Sequence, residues 1–181
     1  TYELYTTLDA FKETDLLKAH GIMMQALVEN AGHYRSGSVG VFGNQGLVHL
    51  APPAERVPLL MADLFRWLQH AQDHLLIRSC VFHYELELIH PYADGNGRIG
   101  RLWHTLLLTQ WKPMFAWLPV ESIIHDRQAE YYQAINRSNN EAESTAFIEF
   151  MLSAIKEALI EAVQVGNTEN MSTEEQRRYQ I

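Results

Sequence analysis

Between residues 73 and 89 the chain is apolar on most sides: Leu75, Leu76, Ile77, Val81, Phe82, Leu86 and Leu88 leave no broad polar face. A helix that is hydrophobic all round has to be surrounded by other elements, so this stretch predicts a central, buried helix. The segments available to surround it are mostly helical themselves. Residues 14–29 carry Leu16, Leu17, Ile22, Met23, Ala26 and Leu27 near helical spacing, with Thr14 as a cap and Asn30-Ala31-Gly32 as a stop. Residues 55–70 place Val57, Leu60, Met61, Leu64, Phe65 and Leu68 on one face, and residues 98–111 run as helix until Lys112-Pro113. Two further helices are expected over 127–139 and 144–165. A single stretch reads as β: Ser38 to Phe42 and Leu47 to Leu50, joined through Gly43-Asn44-Gln45-Gly46 and ended by Pro52 and Pro53. The expected fold class is therefore mainly α, a helical bundle with one β-hairpin. The domain is expected to cover 1–165, with 166–170 a linker and Ser172-Thr173-Glu174-Glu175 a fresh, truncated helix start.

The 181 residues suffice for one domain with a substantial core. Fourteen Lys and Arg against 22 Asp and Glu give a net charge of −8 without a basic stripe, which argues against nucleic acid as a partner. The lone cysteine, Cys80, excludes an internal disulfide and fits a reducing, cytoplasmic setting, where it reads as a buried inert thiol. No apolar run approaches the ~18 residues of a membrane span, and no signal peptide is visible. The start at Thr1 and the helical character at Ile181 suggest a piece of a longer protein.

The chemistry concentrates after the central helix. His90 is followed by Pro91-Tyr92-Ala93-Asp94-Gly95-Asn96-Gly97, and a second helix begins at once with Arg98. A glycine-rich turn that opens a helix aims several backbone N–H groups at one point beside the positive end of the helix dipole, a phosphate cradle. Gly95 and Gly97 allow close backbone approach, and Asn96 offers an amide donor. Asp94 supplies a hard oxygen suited to Mg²⁺ on phosphates. Arg98 and Arg101, three apart, share a helix face and can clamp phosphate oxygens. His90, with an ordinary pKa near neutrality, is the natural general base. Gly100 inside the second helix costs about 0.5–1 kcal/mol relative to Ala and hints at close packing.

The run His90-Pro91-Tyr92-Ala93-Asp94-Gly95-Asn96-Gly97-Arg98-Ile99-Gly100-Arg101 resembles the signature of the Fic family, H-P-F-x-D/E-G-N-G-R-x-x-R, with Tyr92 in place of the usual Phe. His33-Tyr34-Arg35-Ser36, the hairpin and Pro52-Pro53 resemble that family's substrate-binding flap. Glu130-Tyr131-Tyr132 and Asn139 resemble its adenine-side segment. The resemblance covers roughly residues 15–160. It implies a Fic-type bundle and protein adenylylation: AMP moves from ATP to a Ser, Thr or Tyr hydroxyl of a target protein, and pyrophosphate leaves. Carried over by position, His90 is the base and Asp94 the Mg²⁺ ligand. Gly95, Asn96 and Gly97 form the anion hole, Arg98 and Arg101 bind the outer phosphates, and Tyr131, Tyr132 and Asn139 face the adenine. Val39, Gly40, Val41 and Phe42 would pair with the target's main chain.

Four rival readings accompany this one. His83, Glu87 and His90 share a helix face, but their spacing is no zinc motif, and His83 reads as a packed, hydrogen-bonded histidine. Doc-like relatives phosphorylate with a reversed nucleotide, yet they typically carry lysine where Gly97 stands and lack the second arginine. AMP removal by the same loop and a non-catalytic nucleotide-binding module complete the alternatives. The family's inhibitory pattern, S/T-x-x-x-E-G/N, does not occur: Glu29-Asn30 follows Gln25 and Glu169-Asn170 follows Val165. Inhibition is accordingly expected from an inhibitory helix or antitoxin-like partner outside this chain, with Glu29 as a degenerate internal inhibitor the competing view.

Overall fold

A computed structural model describes the backbone of residues 7–43 and 46–178 and the side chains of 7–40 and 51–164. The described elements are helix α1 (Glu13–Met24), strands β1 (Gly40–Gly43) and β2 (Gly46–Leu50), and helices α2 (Val57–His70), α3 (Leu75–Ile89), α4 (Asn96–Trp111), α5 (Val120–Asp126), α6 (Gln128–Glu141) and α7 (Thr145–Arg178). Short 3₁₀ turns at Ala54–Arg56 and Pro113–Trp117 precede α2 and follow α4.

The apolar surplus of α3 has the expected consequence. One core cluster gathers Leu16 of α1, Met61, Leu64 and Phe65 of α2, Phe82, Leu86 and Ile89 of α3, and Ile99, Trp103 and Leu106 of α4. A second gathers Cys80 and Tyr84 of α3, Leu108 of α4, Ile123 and Ile124 of α5, Tyr131 and Ile135 of α6, and Phe147, Met151 and Ile155 of α7. Helices α3 and α4 serve both, and the loop joining them holds the residues from which the sequence leads one to expect chemistry. Trp103, wholly buried, completes its polar edge by donating from Nε1 to the Ala10 carbonyl at 3.0 Å. Strands β1 and β2 pair antiparallel, Gly40 opposite Leu50 and Gly43 opposite Gly46, with a register shift between Val41 and Phe42.

Two expectations need correction, and one helix was not foreseen. Helix α1 stops at Met24, not at residue 29, and Ala26 adopts a left-handed φ of 65°. Leu27, 64% exposed, contributes nothing to the core, so the apolar pattern beyond Met24 had no partner to bury against. The segment 166–170 is no linker, because α7 continues through it to Arg178. A lone glycine without a nearby proline costs a helix only about 1 kcal/mol. Helix α5 was missed although Val120, Ile123 and Ile124 have helical spacing, since seven residues after Pro119 are too few to make a periodic signal. Among the described residues no helix is long and apolar enough to cross a membrane.

Candidate active site

His90 caps the C-terminus of α3 in the left-handed region, φ 50° and ψ 61°. A histidine tolerates this conformation only where its surroundings fix it. The fixing group is Arg35, 5% exposed, whose guanidinium donates from Nε to the His90 carbonyl at 2.8 Å and from Nη2 to the Pro52 carbonyl at 2.6 Å. It also reaches the carbonyls of Ile89 (3.3 Å) and Gly37 (2.8 Å), while its backbone N–H donates to Pro91 O at 2.9 Å. One planar fork thus joins the end of α3, the start of the loop and the base of the β-hairpin.

The loop beyond is held from inside. Asn96 is 2% exposed and its amide spans the Tyr92 backbone, accepting from Tyr92 N–H and donating to Tyr92 O, both at 2.9 Å. Its side chain therefore staples the loop and is not the free anion donor that the sequence suggested. Only its backbone N–H, with those of Gly97 and Arg98, stands ahead of the first helical bond of α4, Ile99 N–H to Gly95 O. Gly95 has φ 87°, and a Cβ there would stand 2.8 Å from Met24 Sδ and 3.2 Å from His20 Nε2. Glycine is required on both counts.

His20 was not singled out by sequence reasoning. It is 1% exposed, and its ring lies parallel on Tyr92 with centroids 3.6 Å apart. Its Nδ1 accepts from Gly32 N–H at 2.9 Å, so Nε2 carries the proton and donates to the Asp94 carbonyl at 3.0 Å. Burial holds its pKa below the ordinary value, in keeping with a neutral ring. No local pattern could have revealed a contact between residues 74 apart in sequence. Tyr92 is wholly buried, and its hydroxyl has no hydrogen-bond partner among the described residues. An unmet buried hydroxyl costs about 1–3 kcal/mol. Tyr92→Phe is expected to raise the unfolding midpoint, and a lower midpoint in thermal denaturation would refute this.

The charged groups are more open. Asp94 accepts from Gly95 N–H at 2.6 Å and pairs with Arg98 at 3.1 Å, the two side chains being 62% and 44% exposed. Among the described residues no three His, Cys, Asp or Glu side chains cluster as a metal cage. A single exposed carboxylate beside a phosphate cradle nonetheless suits Mg²⁺, which binds through one or two carboxylates plus substrate phosphates. Arg101 lines a cavity of about 390 Å³ bounded by α5 and the start of α6, with Ser122, His125, Gln128, Tyr131 and Tyr132 on its walls. Tyr132 is 40% exposed there, whereas Tyr131 is buried and shares a 3.2 Å hydrogen bond with His83 Nε2. Asn139 is not among the lining residues; it accepts from Tyr84 O–H at 2.9 Å. The strand backbone at Gly40, Val41 and Phe42 pairs within the hairpin, Val39 O accepting from Ala51 N–H at 3.3 Å. The side chains of Val41 and Phe42 lie outside the described residues.

His83 is fully buried, as its reading as a packed histidine required, and Glu87 lies 3.8 Å from it. Gly100 is packed closely indeed: a Cβ there would come within 3.0 Å of both Glu87 Oε1 and His83 Cδ2. Cys80 is buried with Sγ on the Leu76 carbonyl, and burial pushes its thiol up to about 12. It is inert at neutral pH.

The model of the Fic/DOC family matches residues 10–108, more than half of the chain and all of the loop. The chain belongs to the Fic/DOC family. Among Fic relatives, it is 31% identical over 131 residues to the protein adenylyltransferase Fic of Drosophila melanogaster, covering 71% of this chain and 24% of that protein. It is 33% identical over 78 residues to a probable protein adenylyltransferase of Aquifex aeolicus, covering 42% of this chain and 23% of the relative. The crystal structure of a Fic family protein from Desulfovibrio desulfuricans G20 is 54% identical, with a TM-score of 0.88 over 91% of this chain and 51% of that one. Fic-1 of C. elegans, at 21% identity and a TM-score of 0.69, shares the fold. The chain thus spans about a quarter of the length of these curated relatives and about half of these solved chains.

Proposed function

We propose that this Fic domain moves AMP from ATP to a hydroxyl of a target protein. The observation that carries the reading is a histidine whose backbone is fixed by Arg35, followed directly by an exposed carboxylate and by the open N-terminus of α4 with two arginines on its first turns. In this reading His90 accepts the proton of a Ser, Thr or Tyr hydroxyl. The freed oxygen attacks the α-phosphorus, the bond to the β-phosphate oxygen breaks, and pyrophosphate departs. The backbone N–H groups of Asn96, Gly97 and Arg98 receive the charge that builds on phosphate oxygens, and Arg98 and Arg101 hold the outer phosphates. Catalysis is then mostly positioning and fixed electrostatics. Asp94 would hold Mg²⁺, whose contribution is to neutralise phosphate charge. The cavity between α5 and α6 is the seat proposed for the nucleoside, with the Tyr132 ring at its wall. The hairpin would dock the target by adding a strand to an open edge.

Gly97 and Arg101, standing where phosphorylating relatives differ, favour AMP transfer over phosphate transfer. Glu29 lies exposed in a turn beyond α1. An inhibitory helix or antitoxin-like partner from outside this chain remains the regulation this reading expects. Intact-mass measurement on a target incubated with this chain, ATP and Mg²⁺ tests the proposal. The expected gain is one AMP. A gain of one phosphate would overturn it, and release of AMP from a pre-modified target would shift the reading to AMP removal.

A further inference from the structure

Glu87 is a buried acid that the proposed mechanism leaves unused. It sits on α3 one turn before His90, its side chain 11% exposed and its Oε1 fully enclosed without a hydrogen-bond partner. A buried carboxylate oxygen without a donor is costly, so its place requires a reason. The Oε1 atom presses on the glycine turn of the phosphate loop: Cβ atoms at Gly100 and Gly97 would stand 3.0 and 3.7 Å from it. The same Cβ at Gly97 would stand 3.2 Å from Arg101 Nη1. Carboxyl and guanidinium therefore both lie beside one glycine, no more than about 7 Å apart, near enough for substantial Coulomb coupling in a partly dry site. Among the described residues they nevertheless form no ion pair within 4.0 Å.

The other titratable groups around Glu87 do not compete for this role. His83, on its own helix, is held well below its ordinary value by burial, and His104 of α4 is pushed down to about 4 for the same reason. Tyr131 of α6 is raised by burial. All three stay neutral around pH 7, leaving Arg101 as the cation that faces the carboxyl. Burial raises Glu87 and Arg101 opposes the rise, with the balance at about 7.

We propose that Glu87 is a positioning residue that governs how fully Arg101 is offered to the outer phosphates of the nucleotide. Ionised, the carboxylate draws on the guanidinium beside Gly97. Protonated, it leaves Arg101 to the ligand. Phosphates arriving at Arg101 add negative charge beside Glu87, so binding favours the neutral acid and takes a proton from solvent. The inference rests on the reading of Arg101 as a phosphate ligand.

Glu87→Gln fixes the neutral form in nearly the same shape. Linkage then predicts a pH-dependent ratio: at pH 8 the variant binds Mg-ATP up to about tenfold more tightly than wild type, and at pH 6 the two agree within about twofold. In AMP transfer the difference falls on KM for ATP rather than on kcat. Calorimetry of Mg-ATP binding in buffers of different ionisation enthalpy should show net proton uptake near pH 7.5 by the wild type and less by the variant. An affinity ratio constant from pH 6 to 8, or equal proton uptake by both proteins, overturns the inference while leaving the proposed function intact. Should Glu87→Gln fail to fold, the wild type alone decides, since absence of proton uptake between pH 6 and 8 overturns the inference. A wild-type chain that binds no Mg-ATP refutes the reading of the site itself.

Discussion

His90→Ala should reduce AMP labelling of target proteins by at least ~10²-fold, the effect expected when a general base is removed. Alanine also disturbs the backbone, because His90 occupies the left-handed region, which costs an ordinary residue about 1–2 kcal/mol. His90→Asn separates the two effects: asparagine tolerates that conformation but supplies no base near neutral pH. Both variants should keep the helical circular dichroism of the parent and both should fail to label. Labelling by His90→Asn at the wild-type rate would remove His90 from the proton transfer and leave it a helix cap.

Arg35→Ala carries the largest expected cost in stability, on the order of 3 kcal/mol in urea denaturation. The guanidinium serves the carbonyls of His90, Ile89, Pro52 and Gly37, and its removal strands acceptors that burial keeps from water. Arg35→Lys should recover little, because one ammonium cannot span acceptors on separate segments. AMP transfer should fall together with stability, since the strained turn at His90 loses its anchor. A cost under about 1 kcal/mol would show that water replaces the arginine without penalty.

What could be read from the sequence follows how local each feature is. The loop from His90 to Arg101 joins two helices through consecutive residues, so the whole of it could be read in one window. The apolar surplus of α3 announced its central place for the same reason. The supports of that loop were hidden, because they arrive from far along the chain: Arg35 meets His90 across 55 residues and His20 meets Asp94 across 74. Spacing patterns carry no information about such pairs. Asn96 is the instructive exception. Its pairing with Tyr92 is an i, i−4 contact, yet chemistry alone suggested a ligand donor where the fold employs a staple. The end of α1 at Met24 shows the opposite error, since apolar spacing continued where no core remained to receive it.

That α3 and α4 belong to both core clusters bears on how the domain comes apart. Subglobal openings release units that bury little against the remainder. Fraying of α7 would spare the first cluster, and the turn between α3 and α4, tied to α1 through His20 and seated where both clusters meet, moves only if both are disrupted together. Amide hydrogens behind that turn should therefore exchange by global unfolding, which makes the loop from His90 to Arg101 one of the last parts of the domain to melt.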